Sequence, residues 1–517
     1  MTPKNNSSKP LKSSADATSL QIQQLGRIGG PVAALGVYLL LVALAKDLPH
    51  PARVTATVGT LMAVWWVTEA LPLAVTSLLP LSLFPLAGVL KLDEIAAPYA
   101  DKNIFLFLGG FLIALAVERW NLHRRIALLT ILAVGTRPDR LVGGVMLATA
   151  GLSMWISNTA TAAMMLPIGI SLATLLGEQL GRVVAAESGG RTNAEQATKS
   201  FATCLMLGIA YSASIGGLGT LIGTPTNVAL AGFASKNGLT IGFGTWMIAM
   251  VPLVLVFEWI VWLVLTKWLF RIQVADLPGG RELIRSELRV LGPISRGEWV
   301  VMCVFALTAL AWVVRDPLVH WAWLTTRIPM VGRLDDPIIA MLGATLLFIL
   351  PVDAPRGIYA MDWETASKIP WGVLLLFGGG FAFSTAMMKS GLTEWLGRQI
   401  ALLGDLPAPL IILATITIVI FTTEITSNTP TILAFLPILF SVAKGLNIPP
   451  LELMAPATIA ASCAFMLPVG TPPNAIVFAT GKVTIAQMVR AGWVVNLIGI
   501  GLIFAAVYVM RALGIVL

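Results

Sequence analysis

Apolar runs of membrane-spanning length, separated by short polar stretches, fill the chain from residue 29 onward. They lie at 29–46, 55–72, 73–90, 103–118, 203–235, 245–268, 299–314, 337–352, 371–388, 455–480 and 492–513, which predicts 11 crossing helices. Two further segments, 140–175 and 408–443, are each a pair of apolar arms around a polar break. The break is the same in both: Ser157-Asn158-Thr159 and Ser427-Asn428-Thr429, each followed by an apolar run that reaches Leu-Pro. Polar triplets are costly inside hydrocarbon, so a matched pair of them points to a binding site. The polar residues 1–28, rich in Ser, Asn, Gln and Lys, are expected to form a disordered cytoplasmic tail.

The triplets belong to a longer repeat. Gly109-Gly110-Phe111 recurs as Gly379-Gly380-Phe381, and both this offset and that of the triplets equal 270 residues. From Arg140 to Ile156 is 17 residues, roughly 25 Å of helix, which enters a hydrocarbon core of about 30 Å without clearing it. Each segment is therefore expected to be a re-entrant hairpin with the triplet at its tip; a single kinked crossing helix is the competing form. With hairpins and a cytoplasmic N-terminus, Arg119, Arg124, Arg125, Arg137 and Arg140 all fall on the cytoplasmic side. So do Arg271, Arg281, Arg285, Arg289, Arg296, Lys482 and Arg490, as orientation by basic residues requires. An odd number of crossings then separates matching elements, so the two copies lie inverted, the plan of many secondary transporters. The expected organisation is scaffold helices 1–3 over 29–102 and a first inverted repeat over 103–240. Helices 6–8 with linkers cover 241–370, a second repeat 371–485 and a last helix 486–517.

Composition agrees and excludes other classes. Of the 517 residues, 57% are hydrophobic and only 12% charged, and the mean hydropathy is +0.85, which no soluble globule of this size shows. The formal net charge of +8 sits in loops between apolar runs, as topology signals do, so nucleic acid is not an expected partner. Cys204, Cys303 and Cys463 lie in apolar surroundings without CxxC spacing and offer neither a disulfide framework nor a zinc site.

Two more polar breaks interrupt apolar runs: Gly223-Thr224-Pro225-Thr226-Asn227 and Gly470-Thr471-Pro472-Pro473-Asn474, offset by 247 residues. Their prolines remove backbone donors and disfavour helix before them, so each helix should unwind there. Such backbone survives at membrane depth only where it lines a cavity or is buried in protein. Freed carbonyls with Ser, Thr and Asn oxygens suit a dehydrated cation such as Na+, while helix starts suit an anion. The glycine-rich stretch at 216–223 lacks the Gly-Lys-Ser/Thr of a phosphate-binding loop. Glu69, Glu258 and Glu424 lie inside apolar runs, each as a proton relay or a packed carboxylate. No nucleophile and base constellation emerges, so the chain is not expected to be an enzyme.

The twin triplets, the stretch GGFLIALAVERWNLHRRIAL at 109–128 and SCAFMLPVGTPPNAIV at 462–477 together resemble the divalent anion:sodium symporter family, in its di- and tricarboxylate branch. The resemblance covers about 30–513. It implies an all-α polytopic membrane protein of 11 transmembrane helices and two re-entrant hairpins, a homodimer working as an elevator. It further implies one Na+ at Ser153, Ser157, Asn158 and Gly223 and a second at Thr423, Thr426, Asn428 and Gly470. Substrate carboxylates would meet Asn158, Thr159, Asn428 and Thr429, with Thr224, Thr471 and Pro472 closing the pocket. Pro430 departs from the small residue expected after the second triplet.

The expected function is Na+-coupled symport of C4 dicarboxylates such as succinate, malate and fumarate. Dicarboxylate exchange, citrate or sulfate transport, and an ion channel are the alternatives. The expected location is a bacterial inner membrane, with the C-terminus outside.

Overall fold

The computed structural model describes residues 14–135, 137–188, 191–271, 280–401 and 407–514. The chain opens with α1 (Ser14–Leu44), α2 (His50–Val67), α3 (Leu73–Thr76), α4 (Leu79–Leu86) and α5 (Leu92–Ala96). The first repeat follows: α6 (Lys102–Arg119), α7 (Leu122–Val134), α8 (Pro138–Ser153), α9 (Asn158–Ser188), α10 (Arg191–Gly216) and α11 (Pro225–Lys236). Next come α12 (Phe243–Leu263), which ends in a π-helical turn, then α13 (Gly280–Leu291), α14 (Arg296–His320), α15 (Ala322–Arg327) and α16 (Asp336–Ile349). A small antiparallel pair, β1 (Pro351–Asp353) and β2 (Ile358–Tyr359), precedes α17 (Trp363–Ala366). The second repeat is α18 (Trp371–Lys389), α19 (Leu392–Ala401), α20 (Ala408–Thr423), α21 (Asn428–Gly445), α22 (Pro450–Ala461) and α23 (Pro472–Phe478), before the final α24 (Ile485–Ala512).

Among the described residues, seven stretches are long and apolar enough to cross a membrane: 21–44, 92–119, 195–219, 243–269, 296–320, 371–389 and 485–512. The other expected crossings are shorter or broken. Pro80 and Pro85 fall in α4, which follows α3 as two short pieces where one crossing was expected at 73–90. The runs at 203–235 and 455–480 split at their Gly-Thr-Pro breaks into α10 with α11 and α22 with α23. The fold class is the one expected, an all-helical polytopic membrane protein.

Two boundaries differ from expectation. The polar N-terminal tail is helical from Ser14, so half of the supposed disordered segment continues α1; residues 1–13 lie outside the described residues. The second arm of the first hairpin runs to Ser188 and not to 175, because residues 176–188 are mostly good helix formers and carry no Pro. The polar stretch 185–200 is helical on both sides of residues 189–190, which lie outside the described residues.

Sequence offset 270 holds in three dimensions. Arms α8 and α20 are each 16 residues, about 24 Å at the helical rise, and their bounds map onto each other residue for residue. So do the helix starts at Asn158 and Asn428, and the left-handed residues Asn121 (φ 55°) and Gly391 (φ 81°) that open α7 and α19. The Gly-Gly-Phe landmarks serve close packing. A Cβ at Gly109 would overlap the backbone of Ala340 in α16, and one at Gly379 would overlap Ser77 after α3. Burial separates inner from outer helices: the 195–219 span is wholly buried, whereas the 21–44 span is 11% buried. Ile28, Val32, Leu35 and Leu39 on that outer helix present their side chains outward, where a bilayer supplies the apolar solvent.

Candidate functional site

Each hairpin turns in four residues, 154–157 and 424–427, between helices that end at Ser153 and Thr423 and restart at Asn158 and Asn428. Ser153, wholly buried, donates from Oγ to the carbonyl of Ala213 at 2.6 Å and lies 2.9 Å from the Asn158 side chain. Thr423 repeats this in the second copy: its Oγ1 lies 2.8 Å from the carbonyl of Ala461 and 2.7 Å from Asn428 Oδ1. Both hairpin tips are thereby tied to the last turn of the helix that unwinds beside them.

The unwound segments are held by their own asparagines. Asn227 donates from Nδ2 to the carbonyls of Gly217 (3.1 Å) and Thr220 (2.8 Å), and Asn474 to those of Ala464 and Leu467, both at 3.0 Å. These acceptors correspond under the 247-residue offset. Thr224 and Thr471 precede their prolines with nearly identical extended backbone, φ −140° and ψ 144° against φ −141° and ψ 148°, and the helices restart at Pro225 and Pro472. In both asparagines the buried Oδ1 has no hydrogen-bond partner in the protein, an acceptor left over where a cation would be welcome.

The first tip is an oxygen cluster. The end of the Asn158 amide that faces the broken helix is 2.9 Å from Ser153 Oγ, 3.1 Å from the Ala213 carbonyl and 3.2 Å from the Gly223 carbonyl. Two things satisfy such a cluster: the amide nitrogen, donating to its neighbours, or a hard cation with the amide oxygen as one more ligand. Thr220 Oγ1 donates to the Met154 carbonyl from the same break. A Cβ at Gly217 would overlap the Asn158 amide, and one at Gly223 would come 3.0 Å from the Met154 carbonyl, so only glycine permits this closeness.

The structure thus brings Ser153, Asn158 and Gly223 together, and likewise Thr423, Asn428 and the 461–470 segment. Two other residues behave differently. Ser157 Oγ accepts from the Ala160 N–H at 3.3 Å and so caps α9. Thr426 Oγ1 donates to the Thr422 carbonyl and shares a 2.6 Å bond with Thr431, so its hydroxyl is turned into the hairpin. Thr159 and Pro472 are exposed, Asn158, Asn428 and Thr429 are half-buried, and Thr224 and Thr471 are buried. Pro430 falls third in α21, within the first turn, where a missing N–H costs nothing. The two breaks meet at Thr226 and Ser462, whose hydroxyls lie 2.6 Å apart in the protein interior. Sequence reasoning did not find the carbonyls of Ala213 and Ala461, since a backbone acceptor leaves no trace in residue type, nor the hydroxyl of Thr220, one of many Ser and Thr side chains within the apolar runs. Among the described residues no group of three His, Cys, Asp or Glu is placed to hold a metal ion.

Comparison with known proteins gives these features a family. The model of the sodium:sulfate symporter transmembrane region matches residues 30–516. A sodium-dependent dicarboxylate transporter, SdcS, of Staphylococcus saprophyticus is 44% identical over 490 residues, covering 94% of this chain and 91% of the relative. SdcS of Staphylococcus aureus strain USA300 is 42% identical over 489 residues with the same coverage. Among solved structures, the YdaH transporter of Alcanivorax borkumensis shares the fold at a TM-score of 0.56 and 16% identity, over 90% of this chain and 99% of that one. Matched almost end to end by the family model and by relatives above 40% identity, the chain belongs to the sodium:sulfate symporter family, the divalent anion:sodium symporters.

Proposed function

We propose that the protein carries C4 dicarboxylates, succinate, malate or fumarate, together with Na+ across the bacterial inner membrane. The observation that carries this is the duplicated oxygen site: two hairpin tips, each tied by one hydroxyl to a helix carbonyl and one asparagine, beside two helices broken at the same motif. The names of the staphylococcal relatives point the same way. One Na+ is assigned to Ser153, Asn158 and Gly223, with Ser157 contributing its carbonyl. The second is assigned to Thr423, Asn428 and Gly470, with Thr426 contributing through its carbonyl because its hydroxyl is already bonded. Asn158, Thr159, Asn428 and Thr429 then face the two carboxylates, and Thr224, Thr471 and Pro472 close the pocket.

Charge explains the coupling. A dianion stripped of water is held in a low-dielectric site only where positive charge meets it. The residues assigned to the site include no Lys or Arg, so the bound Na+ ions supply that charge. The two inverted repeats, 103–240 and 371–485, with 486–517, move as one body against the scaffold of 29–102 and 241–370 in a homodimer. The N-terminus is cytoplasmic and the C-terminus outside.

The test is uptake of radiolabelled succinate into proteoliposomes, with an inward Na+ gradient or with choline, in empty and in succinate-loaded vesicles. Uptake into empty vesicles that needs Na+ is expected. Uptake only into loaded vesicles and indifferent to Na+ would turn the mechanism into exchange and refute symport.

A further inference from the structure

A groove of about 320 Å³ runs between α8, the first arm of the first hairpin, and α12. It shares no residue with the cation and substrate positions assigned above. Leu147 on α8 and Leu255 and Trp259 on α12 line it, and all three are exposed on the outer face, where hydrocarbon is the solvent. The two helices come close at Gly143, where a Cβ would lie 3.0 Å from Trp262 Nε1. That indole donates to the carbonyl of Asp139 at 2.8 Å, which fixes the end of the groove at the start of α8. Glu258 lines the inner wall, buried and bonded to Ser212 Oγ at 2.8 Å. It lies four residues further along α12 than Trp262, about 6 Å from the Asp139 end.

The Asp139 end is basic. Arg140 lines the groove there and is exposed, and among the described residues no carboxylate pairs with it or with Arg137, three residues earlier. The carboxylate between them, Asp139, is taken by Lys267 at 2.7 Å. An apolar channel open along its side, with an unpaired guanidinium at its mouth, is complementary to an amphiphile with an anionic head. The acyl chain lies along Leu147, Leu255 and Trp259, and the phosphate meets Arg140. A choline head brings its own positive charge to the same place and forfeits part of that attraction.

We propose that this groove binds an anionic phospholipid of the surrounding bilayer, held at its phosphate by Arg140 and along one acyl chain by α8 and α12. The binding stands independently of the transport reading. One consequence rests on that reading: α8 and α12 belong there to different bodies, so a bound lipid joins the hairpin arm to the scaffold.

The test uses Trp259 as reporter. Full-length protein in mixed micelles is titrated with phosphatidylglycerol brominated on an acyl chain, or with phosphatidylcholine brominated alike, while tryptophan fluorescence is followed. The Trp259 component is the parent signal less that of Trp259→Phe, and Trp299→Phe gives the same measure for Trp299, an exposed tryptophan of α14 outside the groove. Half-quenching of the Trp259 component should need about fivefold less phosphatidylglycerol than phosphatidylcholine. Arg140→Gln should lose most of that gap, and Arg140→Lys should keep most of it. A parent gap below about twofold overturns the proposal, and so does an equal gap for Trp299, which would mean a general preference of the surface. A gap unchanged in Arg140→Gln overturns it as well. If neither lipid quenches Trp259, a second copy of the chain covers the groove and the proposal falls. Should Arg140→Gln not fold, the comparison of Trp259 with Trp299 in otherwise unaltered protein decides.

Discussion

Ser153 and Thr423 make the sharpest test of the duplicated site, because each can lose its hydroxyl with almost no change of shape. Ser153→Ala and Thr423→Val each remove one donor that reaches a helix carbonyl, at 2.6 Å and 2.8 Å, and the side chain of the neighbouring triplet asparagine, at 2.9 Å and 2.7 Å. A net hydrogen bond is worth about 1 kcal/mol, and a buried acceptor left unmet costs about 1–3 kcal/mol. The Na+-free fold should therefore lose about 1–2 kcal/mol in either variant. On the cation assignment proposed above the hydroxyl oxygen would also be a ligand in the Na+-bound state, so half-saturating Na+ should rise by about tenfold, equivalent to about 1.4 kcal/mol. No hydrogen bond links the two hydroxyls, and the combined variant should show the two effects added on a logarithmic scale. The assay is a Na+ titration of the thermal midpoint in purified protein, paralleled by uptake at fixed succinate. If a variant lowers the midpoint in choline yet leaves half-saturating Na+ unchanged, that hydroxyl only ties helices together, and its cation site is misassigned.

Further outcomes follow from other contacts. Gly217→Ala, whose Cβ would overlap Asn158, should abolish Na+-dependent uptake, while Gly151→Ala, with nothing within 4 Å, should stay within about twofold of the parent. Replacing Na+ by choline should remove the rise in thermal midpoint that succinate gives, because no side chain at the assigned site replaces the lost positive charge. Asp362, outside the spanning helices, accepts from the Thr365 N–H at 2.8 Å and pairs with Arg119 at 2.6 Å; that N–H, with the guanidinium, holds its carboxyl below the usual carboxylate range. The stabilisation is full above the unfolded value of about 4 and fades as pH falls through the lower folded value. The midpoint gap between parent and Asp362→Asn should hold from neutral pH down to about 4 and shrink only below it. With a cytoplasmic N-terminus, Arg285→Cys should react with an impermeant maleimide only from the cytoplasmic side and Gly332→Cys only from the opposite one.

Much of the architecture was legible because membranes force polar residues to declare themselves. Ser157-Asn158-Thr159 and its copy stand out against apolar neighbours, and the helices do restart at the two asparagines. The proline-marked breaks are likewise where α10 and α22 end and α11 and α23 begin. Hydropathy missed α7 and α19, matched short helices that are amphipathic, since apolar and polar faces average out over a window. It missed the helical start at Ser14 because a polar sequence can still hold helix ahead of an apolar run. Glu424 was visible as an intramembrane acid, but its role as relay or packed group turns on Phe465, Met466, Leu467 and Asn496, and backbone N–H groups distant in sequence cannot be read from residue type. The hydroxyl of Thr426 looked like a ligand by position and is spent on Thr422 and Thr431.

The bond between Thr226 and Ser462 joins residues 236 positions apart, at the crossing of the two broken helices. Sliding one break past the other would strand two buried hydroxyls, at a cost of about 1–3 kcal/mol each. On the substrate assignment proposed above, the distance between the two hairpin tips would therefore be set by the protein and not by its cargo. A substrate meeting both tips as proposed would be measured against a fixed ruler: a diacid of matching length would span it, whereas a shorter one would meet a single tip. Chain length, more than the pattern of hydroxyls along the chain, is then what such a pocket sorts.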